Sequence, residues 1–394
     1  MIYPTAGRLT AIGEYYFSKK TAEIRRMTEN GHDVINLGIG SPDLSPGREV
    51  IAAAARSLRD AGSHAYAPYR SMPWLRKAVA GWYSRAYGVV LDPEKQVLPL
   101  LGSKEAILYV SMAYLNPGDL VLVPDPGYPA YTSAARLAGA SVRYYDLTEK
   151  NGWLPDFKAL EKADLRRCRL MWVNYPHMPT GTPASAGLFK ELVAFGRRKK
   201  ILICSDNPYG LILNNGRPLS ILGADPRAET SLELNSLSKS FNMAGWRVGM
   251  LLGAEETVNA VLKVKSNVDS GMFIPVQAGA AKALSAPEEW HRRRNAVYAK
   301  RRDLVRKIFS ELGFSWSAGQ CGLFVWAKAP DSVPSVEKFL DRLLTEAGVF
   351  ITPGSVFGRN GLRYARASLC ADEGRLKEAL SRARDLAGAR GRPR

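Results

Sequence analysis

The sequence predicts an α/β fold: a large domain with a mostly parallel sheet covered by helices, joined to a smaller α+β domain. Three observations predict it. Short apolar runs alternate with helix-length amphipathic segments, Pro/Gly-rich turns directly follow some of these runs, and the pattern changes near residue 288. The chain has 394 residues, more than one hydrophobic core usually serves. We therefore assign 41–287 to the large domain, and 1–40 with 288–394 to the small one.

Five apolar runs are the predicted strands of the large domain. A run such as ILICSD has no polar alternation, which is typical of a strand buried on both faces of a parallel sheet. Ligand-binding loops of such sheets gather where the strands end, so the chemistry is expected along one edge. The predicted strands cover residues 120–123, 141–145, 170–174, 201–205 and 231–234.

The last hundred residues predict a different arrangement. A long charged helix is expected from about Glu288, followed by strand-like runs at 322–327 and 349–352. A further run at 362–369 precedes a final helix, and the basic stretch 382–394 is expected to be a solvated end. This pattern predicts the small α+β domain, completed by the first few dozen residues.

The formal net charge of +18 is the one unusual feature of the composition. Its basic residues are spread along helical segments such as 292–306, and no zinc finger, RNA-binding strand signature or basic zipper accompanies them. We therefore expect no nucleic-acid partner. No run approaches about 18 apolar residues, and residues 1–10 do not resemble a secretory signal, so a cytoplasmic protein without a membrane span is expected.

Cysteine and histidine are few and scattered. The four cysteines have no paired spacing, so neither a disulfide framework nor a zinc site is indicated, and packed reduced thiols are expected. The four histidines are too dispersed to suggest a metal cluster, so no metal is expected. These residues are Cys168, Cys204, Cys321, Cys370, His32, His64, His177 and His291.

Lys239 and Arg247 are the first chemical candidates. Ser238 and Ser240 flank the lysine, and the arginine follows it by eight positions. An amine that can form a Schiff base with an aldehyde, and a guanidinium that can bind a phosphate dianion, are what a pyridoxal 5′-phosphate (PLP) enzyme needs. A serine-capped helix start would explain an isolated SxSK equally well, so the inference depends on the whole segment 236–249.

Segment 236–249 resembles the lysine signature of the class I and II aminotransferases, which are PLP-dependent enzymes of fold type I. The resemblance extends in order over nearly the whole chain. It implies that PLP is bound covalently to Lys239, with Ser236, Ser238 and Arg247 among the cofactor contacts. It also implies ping-pong transfer of an amino group from an L-amino acid to a 2-oxo acid, plausibly 2-oxoglutarate, with Lys239 as the proton-transferring residue.

Asp206 and Tyr209 match the D-x-x-Y motif of that family and directly follow a predicted strand. The resemblance implies that the Asp206 carboxylate faces the pyridine nitrogen, where it keeps the ring protonated and electron-withdrawing. Tyr209 is expected to donate a hydrogen bond to the ring oxygen. In isolation, an aspartate at this point would more often cap the following turn.

Three further cofactor contacts follow from position within the family pattern. Ser103 and Lys104 lie in a GSKEA segment that resembles the phosphate-binding turn, where backbone N–H groups at a helix start face the phosphate. The side chain of Lys104 could be solvated. Tyr128, in the PGYP segment, is expected to stack on the cofactor ring, although a lone tyrosine there would more often be a core residue.

Tyr66 indicates an active site that is shared between two subunits. The segment 66–73 resembles the part of the family whose tyrosine reaches the phosphate of the neighbouring subunit, so an obligate homodimer is expected. The run SNVDSGMF at 266–273 is a second candidate for a partner contact, and it resembles segments of diaminopimelate and aspartate or alanine enzymes.

The substrate residues implied by the resemblance are Arg366, Gly40 and Tyr15. Arg366 matches the arginine that binds the α-carboxylate with both guanidinium nitrogens, and Gly40 lies in the loop that assists at that carboxylate. Tyr15 is where relatives place an aromatic over the substrate. No residue clearly supplies a clamp for a second carboxylate, so the particular amino acid is left open.

Met178 departs from the family pattern. It occupies the position of an asparagine that donates to the PLP ring oxygen, and a thioether cannot donate. We expect the pKa of the Schiff-base nitrogen to be higher than in asparagine-containing relatives. The neighbouring His177 could compensate, but with no orienting partner in the sequence it is expected to face solvent.

Two other functions were weighed against transamination. A lyase, decarboxylase or amino-acid oxidase could use the same residues on the same fold, and Met178 gives that alternative some support. A PLP-sensing regulator would normally carry a DNA-binding domain, but only about forty residues precede the first family motifs, fewer than such a domain needs. A transaminase is the preferred interpretation.

Overall fold

The structure is a computed structural model that describes residues 3–214 and 216–388. Its helices are α1 (Tyr16–Glu29), α2 (Arg48–Ser57), α3 (Pro73–Tyr87), α4 (Ser103–Tyr114), α5 (Pro129–Leu137), α6 (Phe157–Lys162), α7 (Ala186–Lys199), α8 (Leu237–Ser240), α9 (Glu255–Lys265), α10 (Ile274–Leu284), α11 (Glu288–Glu311), α12 (Val336–Ala347) and α13 (Glu373–Gly388). Its strands are β1 (Ile35–Asn36), β2 (Val97–Leu100), β3 (Leu120–Asp125), β4 (Ser141–Asp146), β5 (Cys168–Val173), β6 (Leu202–Asp206), β7 (Ser231–Ser236), β8 (Gly249–Leu252), β9 (Ser315–Trp316), β10 (Phe324–Lys328), β11 (Val349–Phe350), β12 (Thr352–Pro353) and β13 (Tyr364–Ser368).

A seven-stranded sheet forms the centre of the molecule, in the order β2-β8-β7-β6-β5-β3-β4. Strand β8 is antiparallel to both of its neighbours, and the remaining pairs are parallel. The mixed α/β fold with a central, mostly parallel sheet is confirmed. The five predicted strands correspond to β3 through β7, whereas β2 and β8 were not predicted.

Both faces of this sheet are covered, which explains the unbroken apolar runs. One face packs on α4, α5 and α9 through a cluster that includes Ile107, Val110 and Leu234. The other packs on α3 and α7 and continues into the C-terminal part of the chain. Strands β3, β5 and β6 are almost entirely buried and need no polar alternation, whereas the edge strand β4 is largely exposed.

The C-terminal part is built around a four-stranded antiparallel sheet in the order β12-β13-β10-β9. The predicted run 349–352 is not one strand. It divides into β11, which pairs in parallel with β1, and β12, which pairs with β13. The N-terminal segment is thus hydrogen-bonded to the C-terminal part, while the domain boundaries given above stay a prediction.

The basic C-terminal stretch is partly ordered. Arg382 lies in α13 and pairs with Asp33 and Glu378, so the expectation of a solvated end is wrong at this residue. Residues 389–394 of the stretch lie outside the described residues. No described helix combines the length and the apolarity needed to cross a membrane.

Candidate active site

A cavity of about 310 Å³ lies at the carboxyl edge of the central sheet. It brings together residues that are up to about 350 positions apart in the sequence. The predicted residues that line it are Tyr15, Gly40, Ser103, Lys104, Tyr128, Asp206, Tyr209, Ser236, Ser238, Lys239, Arg247 and Arg366. Tyr66 is the one predicted site residue that does not line this cavity.

The topology explains why these residues meet. Parallel strands end at the same edge, and the loops that follow them converge there. Strand β6 ends at Asp206 and β7 at Ser236, while α4 begins at Ser103 just after β2. Strand β8 runs in the opposite direction, so its N-terminal end lies at this edge. Arg247 reaches the cavity because it lies just before the start of β8.

Asp206 has one satisfied and one unsatisfied oxygen. The hydroxyl of Tyr131 donates to Oδ2 at 2.8 Å, and the Tyr131 ring stacks on Trp172 with centroids 4.9 Å apart. Oδ1 is buried without a hydrogen-bond partner in the described part of the chain. Burial raises the pKa of Asp206 to about 6 despite the opposing effect of the Tyr131 hydrogen bond. A buried acceptor of this kind suits an N–H donor with positive charge.

The amine of Lys239 also lies in the cavity. Its Nζ donates to the carbonyl oxygen of Gly40 at 2.5 Å. Burial lowers the pKa of the Lys239 amine, and the nearby Arg366 and Arg247 guanidiniums lower it further, against an opposing effect of Cys370. A lysine in this environment is neutral more often than an exposed one, which is the state needed to attack a carbonyl carbon.

A cradle for a phosphate group lies at the start of α4. The first N–H groups of a helix have no intrahelical acceptor, and Ser103 and Lys104 occupy these positions. Arg247 donates to Ser238 Oγ at 3.3 Å and packs so closely over Gly102 that a Cβ at that glycine would overlap its guanidinium. Gly102 has φ of +93°, which also favours glycine. These groups, together with Ser236, offer several donors and a cation for one dianion.

Arg366 lines the cavity and lies in a cage of apolar side chains. Its Nη2 donates to the Gly38 carbonyl at 2.7 Å, and its guanidinium carbon lies 4.0 Å from the Phe324 ring centroid. The same guanidinium carbon lies 4.6 Å from the Phe357 ring centroid and 5.3 Å from that of Phe17. Burial lowers the pKa of Arg366 to about 10, so the side chain stays charged at neutral pH. Such a site is suited to binding a carboxylate.

Lys104 lies where the cavity opens. Its Nζ is 4.3 Å from the ring centroid of Tyr15, which is a cation–π distance, although the residue is largely exposed. Burial of part of the side chain, followed by repulsion from Arg247, lowers its pKa. No carboxylate pairs with this amine among the described residues. Lys104 is therefore both a backbone donor at the helix start and a cation at the cavity.

Two more tyrosines line the cavity. Tyr209 is buried, with its ring 5.9 Å from that of Phe324. Tyr128 packs edge-on against Tyr131 with centroids 5.6 Å apart. Burial is the main reason that the pKa values of both phenols lie above their usual range, so both are hydrogen-bond donors at neutral pH.

Met178 also lines the cavity. Its Sδ accepts a hydrogen bond from Arg366 Nη1 at 3.1 Å. Asn174 holds the backbone in place, since its Oδ1 accepts from Met178 N at 2.7 Å and its Nδ2 donates to the Asp206 carbonyl at 2.5 Å. The thioether can accept from Arg366 but supplies no donor to the cavity.

His177 is not exposed to solvent, and that prediction is wrong. The side chain is 2% exposed, and its Nδ1 lies 2.8 Å from Thr180 Oγ1. Burial lowers the pKa of His177 to about 3, so the ring is neutral. The orienting partner that the sequence did not reveal is this threonine, three residues later in the same turn.

Tyr66 is 88% exposed and lies outside the cavity. The segment that carries it packs on the run 266–273. A Cβ at Gly271 would lie 2.8 Å from the Ala67 carbonyl, and the Phe273 and His64 rings are 6.2 Å apart. Phe273 is itself 47% exposed. The two segments predicted to contact a partner therefore form one surface.

Several further cavity residues, with polar or aromatic side chains, were not predicted. Tyr131 could have been found from its spacing, because a residue three positions after Tyr128 on a helix projects from the same face. Asn174 follows the end of β5, where functional residues of α/β sheets gather. Phe17, Phe324 and Phe357 gave no sequence signal, because aromatic residues at such positions usually belong to the core.

The family model described as aminotransferase class I and II matches residues 32–382. The LL-diaminopimelate aminotransferase of Dehalococcoides mccartyi strain 195 is 38% identical over 376 residues, covering 95% of this chain and 97% of that protein. The enzyme of the same name from Moorella thermoacetica is 39% identical over 384 residues, with 97% and 98% coverage.

Solved structures give the same result. Substrate-bound BacF from Bacillus subtilis superposes with a TM-score of 0.93 at 34% identity, covering 98% of each chain. Aspartate aminotransferase from Thermus thermophilus with maleate superposes with a TM-score of 0.90 at 27% identity, covering 98% of this chain and 100% of that one. The similarity therefore extends over both the large and the C-terminal parts of the fold.

Proposed function

The chain belongs to the aminotransferases of class I and II, and on that premise we propose that it holds PLP on Lys239 and transfers the amino group of a dicarboxylic L-amino acid to a 2-oxo acid. Transamination itself follows from the family and its relatives. The family also implies the cofactor. The covalent residue, the roles of the other side chains, the substrate class and the homodimer are the proposal.

The observation that carries the proposal is the unsatisfied Oδ1 of Asp206. A buried carboxylate oxygen without a donor is costly, and a protonated pyridine nitrogen would supply both the hydrogen bond and the positive charge. Across the cavity, Ser103, Ser238 and Arg247 would hold the phosphate. Lys239 lines the same cavity, so the donor set fits PLP at the ring, aldehyde and phosphate.

Bound PLP supplies an electron-withdrawing ring that stabilises negative charge at the substrate Cα. The side chains of this protein would orient the substrate and move the protons. Arg366 binds the α-carboxylate and so fixes the orientation of the Cα–H bond. Lys239 would remove that proton and return it to C4′, the former aldehyde carbon of the cofactor. Asp206 keeps a proton on the ring nitrogen, and Tyr209 donates a hydrogen bond at the ring oxygen.

Lys104 supports a substrate with a second carboxylate. Arg366 supplies one cation for the α-carboxylate, and the Lys104 amine is a second cation at the cavity without a carboxylate partner in the described chain. Diaminopimelate, in the names of the two relatives, has two carboxylates, as does the maleate of the Thermus structure. We therefore infer a dicarboxylic amino acid, with Tyr15 covering it.

Transamination makes a specific prediction for a single half-reaction. Purified PLP-loaded protein mixed with one amino acid, without a 2-oxo acid, is expected to convert its cofactor to pyridoxamine phosphate and release one equivalent of the 2-oxo acid. Lys239→Ala should abolish this turnover. Release of ammonia or carbon dioxide instead would favour the lyase or decarboxylase alternative, and hydrogen peroxide formation would favour an oxidase.

The exposed position of Tyr66 supports a homodimer with shared sites, because such a ring is free to enter a neighbouring subunit. Hybrid dimers test this. Lys239→Ala and Tyr66→Ala proteins are each expected to have low activity. Unfolding and refolding a mixture of the two should restore activity, since one site of each hybrid would then have both wild-type residues. No recovery in verified hybrids would exclude a contribution of Tyr66 across the interface.

A further inference from the structure

A buried polar network lies behind the active site, on the α3 side of the central sheet. Its members are Tyr83 and Tyr87 from α3, Glu233 and Asn235 from β7, and Asn207, which follows β6. Asn207, Glu233 and Asn235 have no solvent exposure, and the two tyrosines are at most 7% exposed. None of the five lines the cavity. Polar side chains buried in an apolar layer destabilise the folded state unless their hydrogen bonds are made.

Glu233 is the centre of this network. Its Oε1 accepts from the Tyr83 hydroxyl at 2.7 Å and lies 3.5 Å from Asn207 Nδ2, while its Oε2 accepts from Ile221 N at 3.1 Å. Asn235 Nδ2 in turn donates to the hydroxyl of Tyr83 at 2.8 Å. Burial raises the pKa of Glu233 to about 7, although these hydrogen bonds oppose the shift.

Each end of the network is one residue away from a proposed cofactor contact. Asn207 follows Asp206, and Asn235 precedes Ser236, whose N–H donates to Asn235 Oδ1 at 2.8 Å. Gly210 follows Tyr209 and packs on the network so tightly that a Cβ there would lie 2.8 Å from Asn207 Oδ1 and 3.0 Å from the Tyr87 hydroxyl.

Successive side chains of a strand point to opposite faces of the sheet. Fixing Asn207 and Asn235 on the α3 side therefore fixes Asp206 and Ser236 on the side of Tyr131 and the phosphate cradle. We propose that Glu233 is a positioning residue for cofactor binding: through Tyr83, Asn207 and Asn235 it holds Asp206 and Ser236 at the spacing that one PLP molecule spans. This inference rests on the proposed function.

The test compares PLP dissociation constants, measured by cofactor absorbance on the full-length protein, for Glu233→Ala and a matched control. Asp225→Asn is that control, because the Asp225 side chain is also buried and lies at the opposite end of β7. It accepts hydrogen bonds there from Thr230 N, Ser231 N and Ser231 Oγ. Glu233→Ala is expected to weaken PLP binding by about tenfold or more, whereas Asp225→Asn should lower thermal stability with little change in PLP affinity.

Two milder variants keep the inference testable if Glu233→Ala does not fold. Glu233→Gln retains an acceptor for Tyr83 and is expected to keep most of the PLP affinity, while Tyr83→Phe removes only one donor and should weaken binding severalfold. Unchanged affinity in both Glu233→Ala and Tyr83→Phe, or an equal loss in Asp225→Asn, would overturn the inference. A wild-type protein that binds no PLP would instead overturn the proposed function on which it rests.

Discussion

Lys239 donates from Nζ to the Gly40 carbonyl oxygen at 2.5 Å, so the proposed catalytic amine is tethered to the loop that follows β1. Arg366 donates to the Gly38 carbonyl of the same loop at 2.7 Å. Binding of the cofactor and of a substrate carboxylate must compete with these two contacts. The loop thus connects the amine and the guanidinium on which the proposed chemistry depends.

Gly40→Ala is expected to raise KM for the amino-acid substrate by about tenfold, because a Cβ at residue 40 would overlap the Phe324 ring on which the Arg366 guanidinium packs. Steady-state kinetics measure the effect. Gly187→Ala is the matched control, since a Cβ there meets no atom within 4 Å, and it should behave as wild type. An unchanged KM in Gly40→Ala would mean that Phe324 can move without disturbing Arg366.

Asp206→Asn is expected to stabilise the cofactor-free protein at neutral pH while weakening PLP binding. The folded-state pKa of Asp206, about 6, lies above its usual 3.8, so the native state binds the proton more tightly and stability falls as pH rises through this interval. A shift of two pKa units corresponds to about 3 kcal/mol of folding free energy at neutral pH, and the Asp206→Asn variant should regain that stability. Urea unfolding of the variant and the wild type at about pH 4 and pH 7 measures this difference in stability. A difference of the same size at the two pH values would contradict the prediction.

Met178→Asn is expected to lower, by about one unit, the pH at which the absorbance of the bound cofactor titrates. An asparagine would restore a hydrogen-bond donor to the ring oxygen, whereas Met178 in the wild type only accepts from Arg366. Spectroscopic pH titration of the loaded protein checks this. Met178→Leu, which adds no donor, should titrate like the wild type, and identical midpoints in all three proteins would refute the assigned role.

Lys104→Met is expected to raise KM for dicarboxylic amino acids by about tenfold and to leave KM for alanine unchanged. The substitution removes the cation beside Tyr15 but keeps the backbone N–H at the start of α4, so PLP affinity should change little. Kinetics with a panel of amino acids measure the contrast. A uniform rise for all substrates would assign the Lys104 amine to the cofactor instead.

Strands β3, β5 and β6 could be predicted from the sequence because they are mostly buried and therefore mainly apolar. The edge strand β2 and its interior neighbour β8 were missed, since each has only four residues and the Pro99 and Gly249 they contain are uncommon in strands. Contacts that depend on tertiary packing could not be predicted either. The burial of His177 depends on a turn closed by Thr180, and the phenylalanine cage of Arg366 assembles from three distant segments.

Covalent attachment of the cofactor is the most direct test of the central proposal. The PLP-loaded protein would be reduced with borohydride, digested and analysed by mass spectrometry to locate the modified lysine. We expect a phosphopyridoxyl group on Lys239 and none on the control Lys104, which also lines the cavity. An unmodified Lys239, or the same group on another lysine, would contradict the proposed role of Lys239.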